Sequence, residues 1–198
     1  NLKDLQTVLA TNAAVSSPFL NIGAGADLNN SSMNAVYLGA NGLGLPDRDF
    51  YLEEDEKSIE IREEYKKHVS KMLQKLGDSE ADANKAADKI LALETQLAEP
   101  RLNKVERRDA SNYNNMKKLI SDLGITKKFD TLLVTQLRYT QALDKFLKTT
   151  PIEDIKTLIR WDTFNSAAGK LTTEIETANW EFYSKYLRGA KEQRPADE

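Results

Sequence analysis

The most constraining feature of the sequence is a pair of long amphipathic segments separated by a glycine. In the first segment, residues 53–76, apolar residues recur every three or four positions: Ile61, Tyr65, Val69, Met72 and Leu76. This spacing places one apolar stripe along the face of an α-helix. Gly77 then supplies a typical C-terminal stop. Because such a stripe must pack against another apolar surface, the chain is expected to fold as packed helices.

The second segment begins with a capping-box pattern in which Ser79 is followed by Asp82. It runs to Pro100 and carries its own apolar series: Ala86, Ile90, Leu93 and Leu97. The short link between the two segments predicts an antiparallel helical hairpin. Glu63 and Lys67 are four residues apart, and this spacing predicts an ion pair on the solvent side of the first helix.

Later segments predict further helices. A shorter helix ended by Gly124 is expected to carry Tyr113, Met116, Leu119, Ile120 and Leu123, and residues 125–137 are ambiguous. The next helix carries Tyr139, Leu143, Phe146 and Leu147. A helix start is predicted at Thr150, with Thr150 as the cap, Pro151 in the first position and Glu153 in the third.

The helix that starts there is expected to carry Ile155, Leu158, Ile159, Trp161 and Phe164, and Leu171 and Thr172 break it. A last helix ending at Gly189 carries Ile175, Asn179, Phe182 and Tyr186. Its basic residues predict a solvated helix end: Lys185, Arg188, Lys191 and Arg194.

The N-terminal part is different in composition. Residues 1 to about 12 have helical spacing and are interrupted at residues 16–18. Two short β-compatible runs, residues 19–22 and 35–38, flank a turn-rich link and predict a hairpin. The predicted fold class is therefore mainly α, a multi-helix domain with a small β-hairpin near the N-terminus.

Bulk composition limits the function classes. The 198 residues are 40% hydrophobic and 30% charged, which is typical of a globular protein with one sizeable core or two small ones. No apolar run approaches the roughly 20 residues that span a bilayer. A net charge of −3 gives no electrostatic basis for binding nucleic acid or an anionic membrane. The absence of Met at position 1 indicates a segment of a longer chain.

Catalytic chemistry finds little support in the residues. Without cysteine the chain has no disulfide and no Cys-ligated zinc, and His68 is its only histidine. Catalytic zinc takes three protein ligands, typically including both histidines of H-E-x-x-H. A lone helical histidine is more often a surface or boundary residue, and the glycines match no phosphate-binding loop. We therefore assign no catalytic, cofactor-binding or metal-binding residue.

Charged runs have structural explanations. The acidic residues 53–56 lie at a helix start, where they complement the helix dipole. Residues 105–109 form a charged connector that we expect to be a salt-bridged link between helices.

The turn Gly42-Leu43-Gly44-Leu45-Pro46-Asp47-Arg48-Asp49-Phe50-Tyr51-Leu52 separates these two parts of the chain. Asp47 and Asp49 flank Arg48, and such charges in a tight bend pair with each other or cap the next helix. Phe50, Tyr51 and Leu52 then supply apolar mass that anchors the bend to a core. The turn is expected to be an anchored structural element rather than a ligand site.

Several short blocks along the chain carry a family resemblance. After the 42–52 turn they are residues 61–69, 93–98, 106–109, 113–116, 150–154, 158–161, 178–183 and 189–195. In this order and spacing the chain resembles the N-terminal region of the neprilysin and endothelin-converting-enzyme family of zinc metallopeptidases. It is most similar to the cysteine-free prokaryotic oligopeptidases of that family.

The resemblance implies a parent zinc metalloendopeptidase that cleaves oligopeptides. Residues 1–198 would be part of its N-terminal cap domain, with the hairpin and Gly-Leu-Pro turn in 1–52 and the helical part in 53–198. This region would cap the catalytic domain, enclose a central chamber and restrict substrate size. The family's H-E-x-x-H, E-x-x-x-D and N-A-Y/F motifs lie beyond the matched region, so zinc is implied for the parent enzyme and not for this chain.

The resemblance also implies partners and a location. The partners are the catalytic domain of the parent enzyme and, in that enzyme, the oligopeptide substrate. An extracytoplasmic location, periplasmic or secreted, is favoured over a cytoplasmic one. The alternative is a standalone helical module that binds a peptide or a protein, and the residues leave both alternatives open. An independent hydrolase is disfavoured by the single histidine.

Overall fold

The computed structural model describes residues 4, 7, 18–27, 30–109, 112, 114–115 and 132–193. The fold is mainly α, as the sequence predicts. Its helices are α1 (Asp49–Leu52), α2 (Glu56–Lys75), α3 (Glu80–Ala98), α4 (Leu137–Thr149), α5 (Ile152–Ala167) and α6 (Thr173–Trp180). A π-helical segment, Glu181–Tyr186, continues α6, and short 3-10 turns lie at Glu106–Arg108 and Ala168–Lys170. No helix of this part of the chain is long and apolar enough to cross a membrane.

Helices α2 and α3 form the predicted hairpin and begin at side-chain caps. The Asp55 carboxylate accepts a hydrogen bond of 3.1 Å from the backbone N–H of Ser58 at the start of α2. The Ser79 hydroxyl accepts one of 3.2 Å from the backbone N–H of Asp82, as the capping-box pattern predicts. Gly77 ends the first helix with a φ of +95°, a conformation that suits glycine.

The apolar stripe of α2 is confirmed except at its last position. Ile61, Tyr65, Val69 and Met72 are buried, but Leu76 is 40% exposed. The prediction for Leu76 is wrong because α2 ends at Lys75 and the chain turns away at Gly77.

Ion pairs on the solvent side of α2 have a spacing of three. Lys67 lies 2.7 Å from Glu64, and Lys66 lies 3.0 Å from Glu63. The predicted pair of Glu63 with Lys67 is therefore wrong. Glu63 pairs with Lys66, and Lys67 pairs with Glu64.

The start of α5 differs from its predicted cap. The helix begins at Ile152 after Pro151, and no side chain forms a capping hydrogen bond. The Pro151 carbonyl instead accepts the backbone N–H groups of Asp154 (3.0 Å) and Ile155 (3.2 Å). The Thr150 cap prediction is therefore wrong by one position. The apolar face is as predicted, with four residues buried and Ile159 packed against them: Ile155, Leu158, Trp161 and Phe164.

The N-terminal hairpin is confirmed and belongs to a larger sheet. Strands β1 (Leu20–Ala26) and β2 (Asn34–Ala40) pair antiparallel in a register that joins Leu20 to Ala40. Strand β4 (Leu132–Val134) pairs parallel with β2, and β3 (Asn114–Asn115) pairs antiparallel with β4. The sheet order among the described strands is β1-β2-β4-β3.

Two sequence predictions fall largely outside the described residues. The helix predicted around Tyr113–Leu123 is wrong at Asn114 and Asn115, which form β3, and the rest of it lies outside the described range. Of the predicted helix at residues 1–12, the structure describes Asp4 and Thr7, and both are helical.

One main core joins the helices to the start of the hairpin. Its largest fully buried side chains include Trp161, Tyr65 and Tyr139. Tyr139 of α4 donates a hydrogen bond of 2.7 Å to the carbonyl of Phe19, a buried residue just before β1. This contact fixes the base of the hairpin to the helical layer, and the 42–52 turn leaves the sheet at the same place.

Candidate functional site

The 42–52 turn is held by its own charges and by the C-terminal end of α3. The Asp47 carboxylate accepts a hydrogen bond of 3.1 Å from the backbone N–H of Asp49, and Arg48 lies 3.4 Å from Asp49. Arg48 also donates hydrogen bonds of 3.4 Å to the carbonyls of Ala98 and Glu99. The predicted pairing of these charges is confirmed at Arg48 and Asp49, whereas no side chain caps the helix Asp49–Leu52, whose N-cap residue is Arg48.

The charged connector at residues 105–109 completes this arrangement. Asp47 accepts from Lys104 at 3.2 Å and lies 3.6 Å from Arg107. These hydrogen bonds and positive charges outweigh the effect of burial and lower the pKa of Asp47. Glu106 pairs with Arg138 of α4 at 3.2 Å. The connector is therefore a salt-bridged link, as expected.

A buried carboxyl group, Glu94 of α3, holds the turn from beneath. One of its oxygens accepts the hydroxyls of Tyr51 (2.9 Å) and Tyr65 (2.8 Å). The other accepts the backbone N–H of Gly44 at 3.1 Å. The Tyr51 hydroxyl accepts in turn the backbone N–H of Leu45 at 2.7 Å. One side chain thus satisfies polar groups from the turn, α1 and α2 together.

The network reaches α5 through an aromatic pair. The indole N–H of Trp161 donates a hydrogen bond of 2.8 Å to the Tyr65 hydroxyl. Their rings lie edge to face with centroids 6.2 Å apart. Helices α2, α3 and α5 therefore meet the turn, through Tyr51 of its own short helix α1, at one polar cluster inside an apolar core.

Glycine is required at position 44 by close approach. A Cβ there would lie 1.7 Å from the Tyr65 hydroxyl oxygen and 3.0 Å from the Glu94 carboxylate. At the neighbouring Gly42 a Cβ would meet nothing within 4 Å. The two glycines of the Gly-Leu-Gly-Leu-Pro sequence therefore differ. Only at Gly44 does the lack of a side chain allow the Tyr65 hydroxyl and the Glu94 carboxylate to lie this close to the backbone.

Burial dominates the electrostatics of this cluster. Burial raises the pKa of Glu94 to about 7, although its hydrogen bonds from Tyr65, Tyr51 and Gly44 act in the opposite direction. Burial and the nearby Glu94 charge raise the pKa of Tyr51 and Tyr65 well above the usual value. Near neutral pH the carboxyl group of Glu94 is therefore partly protonated, and both tyrosines remain protonated donors.

A carboxyl group with a pKa near 7 has the acidity of a general acid or base, but access decides its role here. Glu94 is 3% exposed, and both of its oxygens accept hydrogen bonds from the protein. No substrate atom could reach it without breaking the core. The cluster is a positioning element that sets the turn against the helices.

The sequence contains a signal for Glu94 that the periodicity argument missed. Glu94 lies four residues after Ile90 and three before Leu97, both of which are buried. An acid at that spacing falls on the apolar face of the helix, where it requires buried partners. No comparable signal in the sequence indicates which groups donate hydrogen bonds to Glu94, because these donors, such as Gly44, are distant along the chain.

His68 is buried, and the expectation of a surface or boundary position is wrong. It is 5% exposed and stacks on Phe182, with ring centroids 4.6 Å apart and an interplanar angle of 10°. Trp161 and Tyr183 contact it edge to face. Burial, with a smaller effect from Lys71, lowers the pKa of His68 to about 3. The neutral ring behaves as an aromatic core residue.

Zinc coordination is not supported by the residues present. Among the described residues, no group of three or more His, Cys, Asp or Glu side chains is placed to hold a metal ion. The histidine is enclosed by aromatic rings, and Glu94 is bound by hydroxyl and amide donors. These side chains do not fit a zinc site.

Other sequence features have ordinary places in the fold. Gly23 and Gly25 lie in β1 rather than in a loop before a helix. The acidic run at residues 53–56 leads into α2 through the Asp55 cap. Lys185, Arg188 and Lys191 are exposed, as a solvated helix end requires, and Arg194 lies outside the described residues.

Comparison with known proteins identifies relatives of the chain. It is 38% identical over 95 residues to endothelin-converting enzyme 1 of Homo sapiens, covering 47% of this chain and 12% of that enzyme. It is 32% identical over 126 residues to endothelin-converting enzyme-like 1 of Mus musculus, covering 62% of this chain and 15% of that protein. The chain thus spans less than a sixth of the length of these curated relatives.

Solved structures share the fold over almost the whole chain. The zinc metalloprotease Zmp1 of Mycobacterium tuberculosis, in complex with an inhibitor, matches with a TM-score of 0.78 and 26% identity, covering 98% of this chain and 34% of that protein. PepO of Lactobacillus rhamnosis matches with a TM-score of 0.80 at 18% identity, covering 98% of this chain and 33% of that protein, which shows a shared fold alone.

The family assignment rests on the full length of the sequence. A model described as peptidase family M13, specific for the N-terminal part, matches residues 1–198. The relatives include endothelin-converting enzyme, which agrees with the resemblance found in the short sequence blocks. The chain belongs to peptidase family M13, as the N-terminal part of such zinc metallopeptidases.

Proposed function

We propose that this chain is the non-catalytic cap region of a zinc metalloendopeptidase that cleaves oligopeptides, and that it restricts substrate size by covering the catalytic domain. The observation that carries the proposal is a combination of two facts. The family match extends over the whole chain, and the described residues include no group that fits a catalytic metal. The proposal therefore assigns to this chain the helical architecture of the family's N-terminal part and assigns the catalytic chemistry to the rest of the enzyme.

The length of the solved relatives supports this division of roles. This chain covers about a third of Zmp1 and of PepO. In the proposal, the zinc ligands and catalytic groups belong to polypeptide outside residues 1–198. The catalytic domain is then the direct partner of this chain, and the oligopeptide is a substrate of the complete enzyme.

A cap that selects substrates by size has to keep its shape, and the Glu94 cluster supplies that rigidity. It ties the 42–52 turn to α2, α3 and α5 through buried hydrogen bonds of 2.8–3.1 Å. Buried and fully engaged polar networks of this kind restrict a fold to one arrangement. The turn is thereby a fixed point between the hairpin and the helices.

The coding DNA downstream of codon 198 provides the first test. The proposal requires an H-E-x-x-H motif in the same reading frame. A stop codon directly after Glu198, with no such motif, would contradict it and leave the standalone peptide- or protein-binding module as the remaining alternative.

Substrate size is tested on the complete enzyme. One cleavable sequence is presented as a short peptide, as the centre of a long flexible peptide and as a loop of a folded carrier protein. Size restriction predicts that kcat/KM falls with length and that the carrier is not cleaved. Equal kcat/KM for all three substrates would contradict the proposed role of the cap.

Location belongs to the same proposal, since the family resemblance favours a periplasmic or secreted enzyme. Cell fractionation with an antibody against this chain tests it directly. Recovery with periplasmic or extracellular markers is expected, and recovery with cytoplasmic markers alone would contradict it.

A further inference from the structure

The junction between β2 and the 42–52 turn is an asparagine followed by a glycine. Strand β2 ends at Ala40, and Asn41 and Gly42 continue the chain without regular secondary structure. Asn41 is the only asparagine of the sequence that precedes a glycine. Gly42 is exposed, and a Cβ at its position would meet nothing within 4 Å. Solvent therefore has access to the peptide group that joins these two residues.

An asparagine followed by glycine can undergo a reaction with its own backbone. The glycine N–H loses its proton to hydroxide, and the nitrogen attacks the side-chain carbonyl carbon of the asparagine. A C–N bond forms to give a cyclic imide, and the side-chain amide nitrogen takes a proton from water and leaves as ammonia. Water then opens the ring at either carbonyl, which gives an aspartyl or an isoaspartyl residue. Glycine favours ring closure because it has no Cβ and the widest choice of φ and ψ.

The nitrogen that would attack is the backbone nitrogen of Gly42, and the fold leaves it accessible. Among the described residues, the Gly42 N–H has no hydrogen-bond partner. Its neighbours differ, since the Asn41 N–H donates to the Phe19 carbonyl at 3.2 Å and the Gly44 N–H donates to Glu94 at 3.1 Å. Removing the Gly42 proton therefore breaks no hydrogen bond within this part of the chain.

Arg101 favours the first step through its position. Its Nη1 donates a hydrogen bond of 2.5 Å to the carbonyl oxygen of Asn41, and its Nε donates one of 3.1 Å to the Leu97 carbonyl. The Asn41 carbonyl and the Gly42 nitrogen belong to the same peptide group. When that nitrogen loses its proton, resonance spreads the negative charge onto the carbonyl oxygen. A charge-assisted hydrogen bond at this oxygen therefore stabilises the deprotonated nitrogen.

The reaction would change the connection between the sheet and the turn. Either product carries a new carboxylate close to the Arg101 guanidinium, and the isoaspartyl form also adds a carbon to the main chain. The added length would fall between β2, which is paired on both sides, and Gly44, which Glu94 holds. The site thus lies where a change in the backbone affects how the hairpin joins the helices.

We propose that Asn41 and Gly42 form a self-modifying site, at which the Asn41 side-chain amide is hydrolysed through a cyclic imide and Arg101 is a positioning residue that stabilises the deprotonated Gly42 nitrogen. The co-reactants are water and its hydroxide ion. The proposal concerns the backbone of this chain and does not depend on the function proposed for the cap.

The test is incubation of the 198-residue chain at neutral and at mildly alkaline pH, followed by peptide mapping with mass spectrometry. The peptide that contains position 41 is expected to gain the mass difference between water and ammonia, as separate aspartyl and isoaspartyl products, and to do so faster at the higher pH. Asn30, which is exposed and precedes Ser31, is the internal control and is expected to react at least ~10-fold more slowly. A reaction at Asn41 no faster than at Asn30 would overturn the proposal.

Matched variants separate the site from the residue that promotes it. Gly42→Ala is expected to slow the reaction at least ~10-fold. Arg101→Gln removes the charge and is expected to slow it ~10-fold, whereas Arg101→Lys keeps a charged donor and is expected to restore most of the rate. Arg108→Gln, at an exposed connector position, is expected to leave the rate unchanged. A rate in Arg101→Gln equal to that of the wild type, or a loss that Arg101→Lys does not restore, would overturn the role of Arg101.

Hydrogen exchange in the wild-type chain decides the matter if the Arg101 variants do not fold. Base-catalysed exchange of the Gly42 N–H removes the same proton as the proposed reaction. NMR is expected to show exchange at Gly42 at least as fast as in the urea-unfolded chain, whereas the Gly44 N–H, which Glu94 accepts, is expected to be protected. Protection of the Gly42 N–H comparable to that of Gly44 would overturn the proposal.

Discussion

Gly44 and Glu94 are fifty residues apart in sequence, yet the backbone N–H of Gly44 donates a hydrogen bond of 3.1 Å to the Glu94 carboxylate. This single contact joins the turn that follows the sheet to the second helix of the main hairpin. The two tyrosines that share Glu94 extend the connection to α1 and α2. The position of the turn is therefore set by a buried acid rather than by surface charges alone.

Gly44→Ala is expected to destabilise the chain by about 3 kcal/mol, because the new methyl group overlaps the Tyr65 hydroxyl. The matched control is Gly42→Ala, where the methyl group meets open space. We expect the control to change the free energy of unfolding by less than about 0.5 kcal/mol. Urea unfolding of both variants measures the difference. Equal effects at the two positions would contradict the close-approach argument.

Stability is expected to fall as pH rises through neutrality because of Glu94. Its pKa in the fold is about 7, above its ordinary value of 4.5, so the folded state holds a proton that the unfolded state has lost. The stabilising contribution of Glu94 to the free energy of unfolding is complete below pH 4.5 and disappears as pH rises through 7. The difference between the folded and the ordinary pKa of Glu94 corresponds to about 3 kcal/mol.

Glu94→Gln removes this titration and keeps the shape of the side chain. The variant's free energy of unfolding, measured by urea at a series of pH values from 5 to 8, should rise up to about pH 6.5, where His68 alone contributes, and should lack the fall that the wild type shows between about pH 6.5 and 7. A wild-type curve and a variant curve with the same slope across this window would rule out Glu94 as the titrating group.

His68 is expected to act in the opposite direction at lower pH. Its pKa in the fold is about 3, below the ordinary 6.5, so the unfolded state gains a proton first as pH falls. The stabilising contribution of His68 to the free energy of unfolding is present above pH 6.5 and is lost progressively as pH falls toward 3. Because Glu94 has the opposite slope between pH 4.5 and 6.5, the wild type should show a plateau there.

His68→Phe keeps an aromatic ring against Phe182 and removes the titration. Unfolding curves from pH 4 to 7 should then slope downward with rising pH, as Glu94 alone dictates. A variant that retains the wild-type plateau would show that His68 does not oppose Glu94.

The ion pair between Arg160 and Asp78 is expected to stabilise the chain modestly. Two guanidinium nitrogens of Arg160 contact the two oxygens of Asp78 at 2.6 and 2.9 Å, which joins α5 to the link between α2 and α3. Because Arg160 is nearly half exposed, we expect Arg160→Ala to cost only about 1 kcal/mol.

Lys148→Ala is the matched control, since Lys148 forms an exposed pair with Asp144 within one helix. We expect it to cost about 0.3 kcal/mol. Thermal unfolding at low and at high salt compares the two pairs. Equal losses, or a loss at Arg160 that salt does not reduce, would count against an electrostatic origin.

The helices could be predicted from the sequence because their signals are local. The stripe from Ile61 to Met72, the Ser79 cap and Gly77 each act within a few residues. The hairpin from Leu20 to Ala40 was equally local. By contrast, the parallel pairing of β2 with β4 joins residues almost a hundred positions apart, such as Val36 and Leu132, and no short-range pattern indicates it.

The polar cluster and the buried histidine show the same limit. His68 lies beside Val69 on α2, but its burial depends on Phe182, which packs over it from the C-terminal segment. The partners of Glu94 come likewise from separate segments of the chain. Periodicity indicates which face of a helix is buried, whereas tertiary packing decides what covers that face.

The peptidase activity of the purified 198-residue chain, assayed with added zinc beside the complete enzyme from the same gene, tests the central claim most directly. The account predicts that the complete enzyme binds zinc and cleaves short peptides, and that the chain alone neither retains zinc after dialysis nor cleaves them. Zinc-dependent cleavage by the chain alone, abolished by a chelator and restored by zinc, would contradict it.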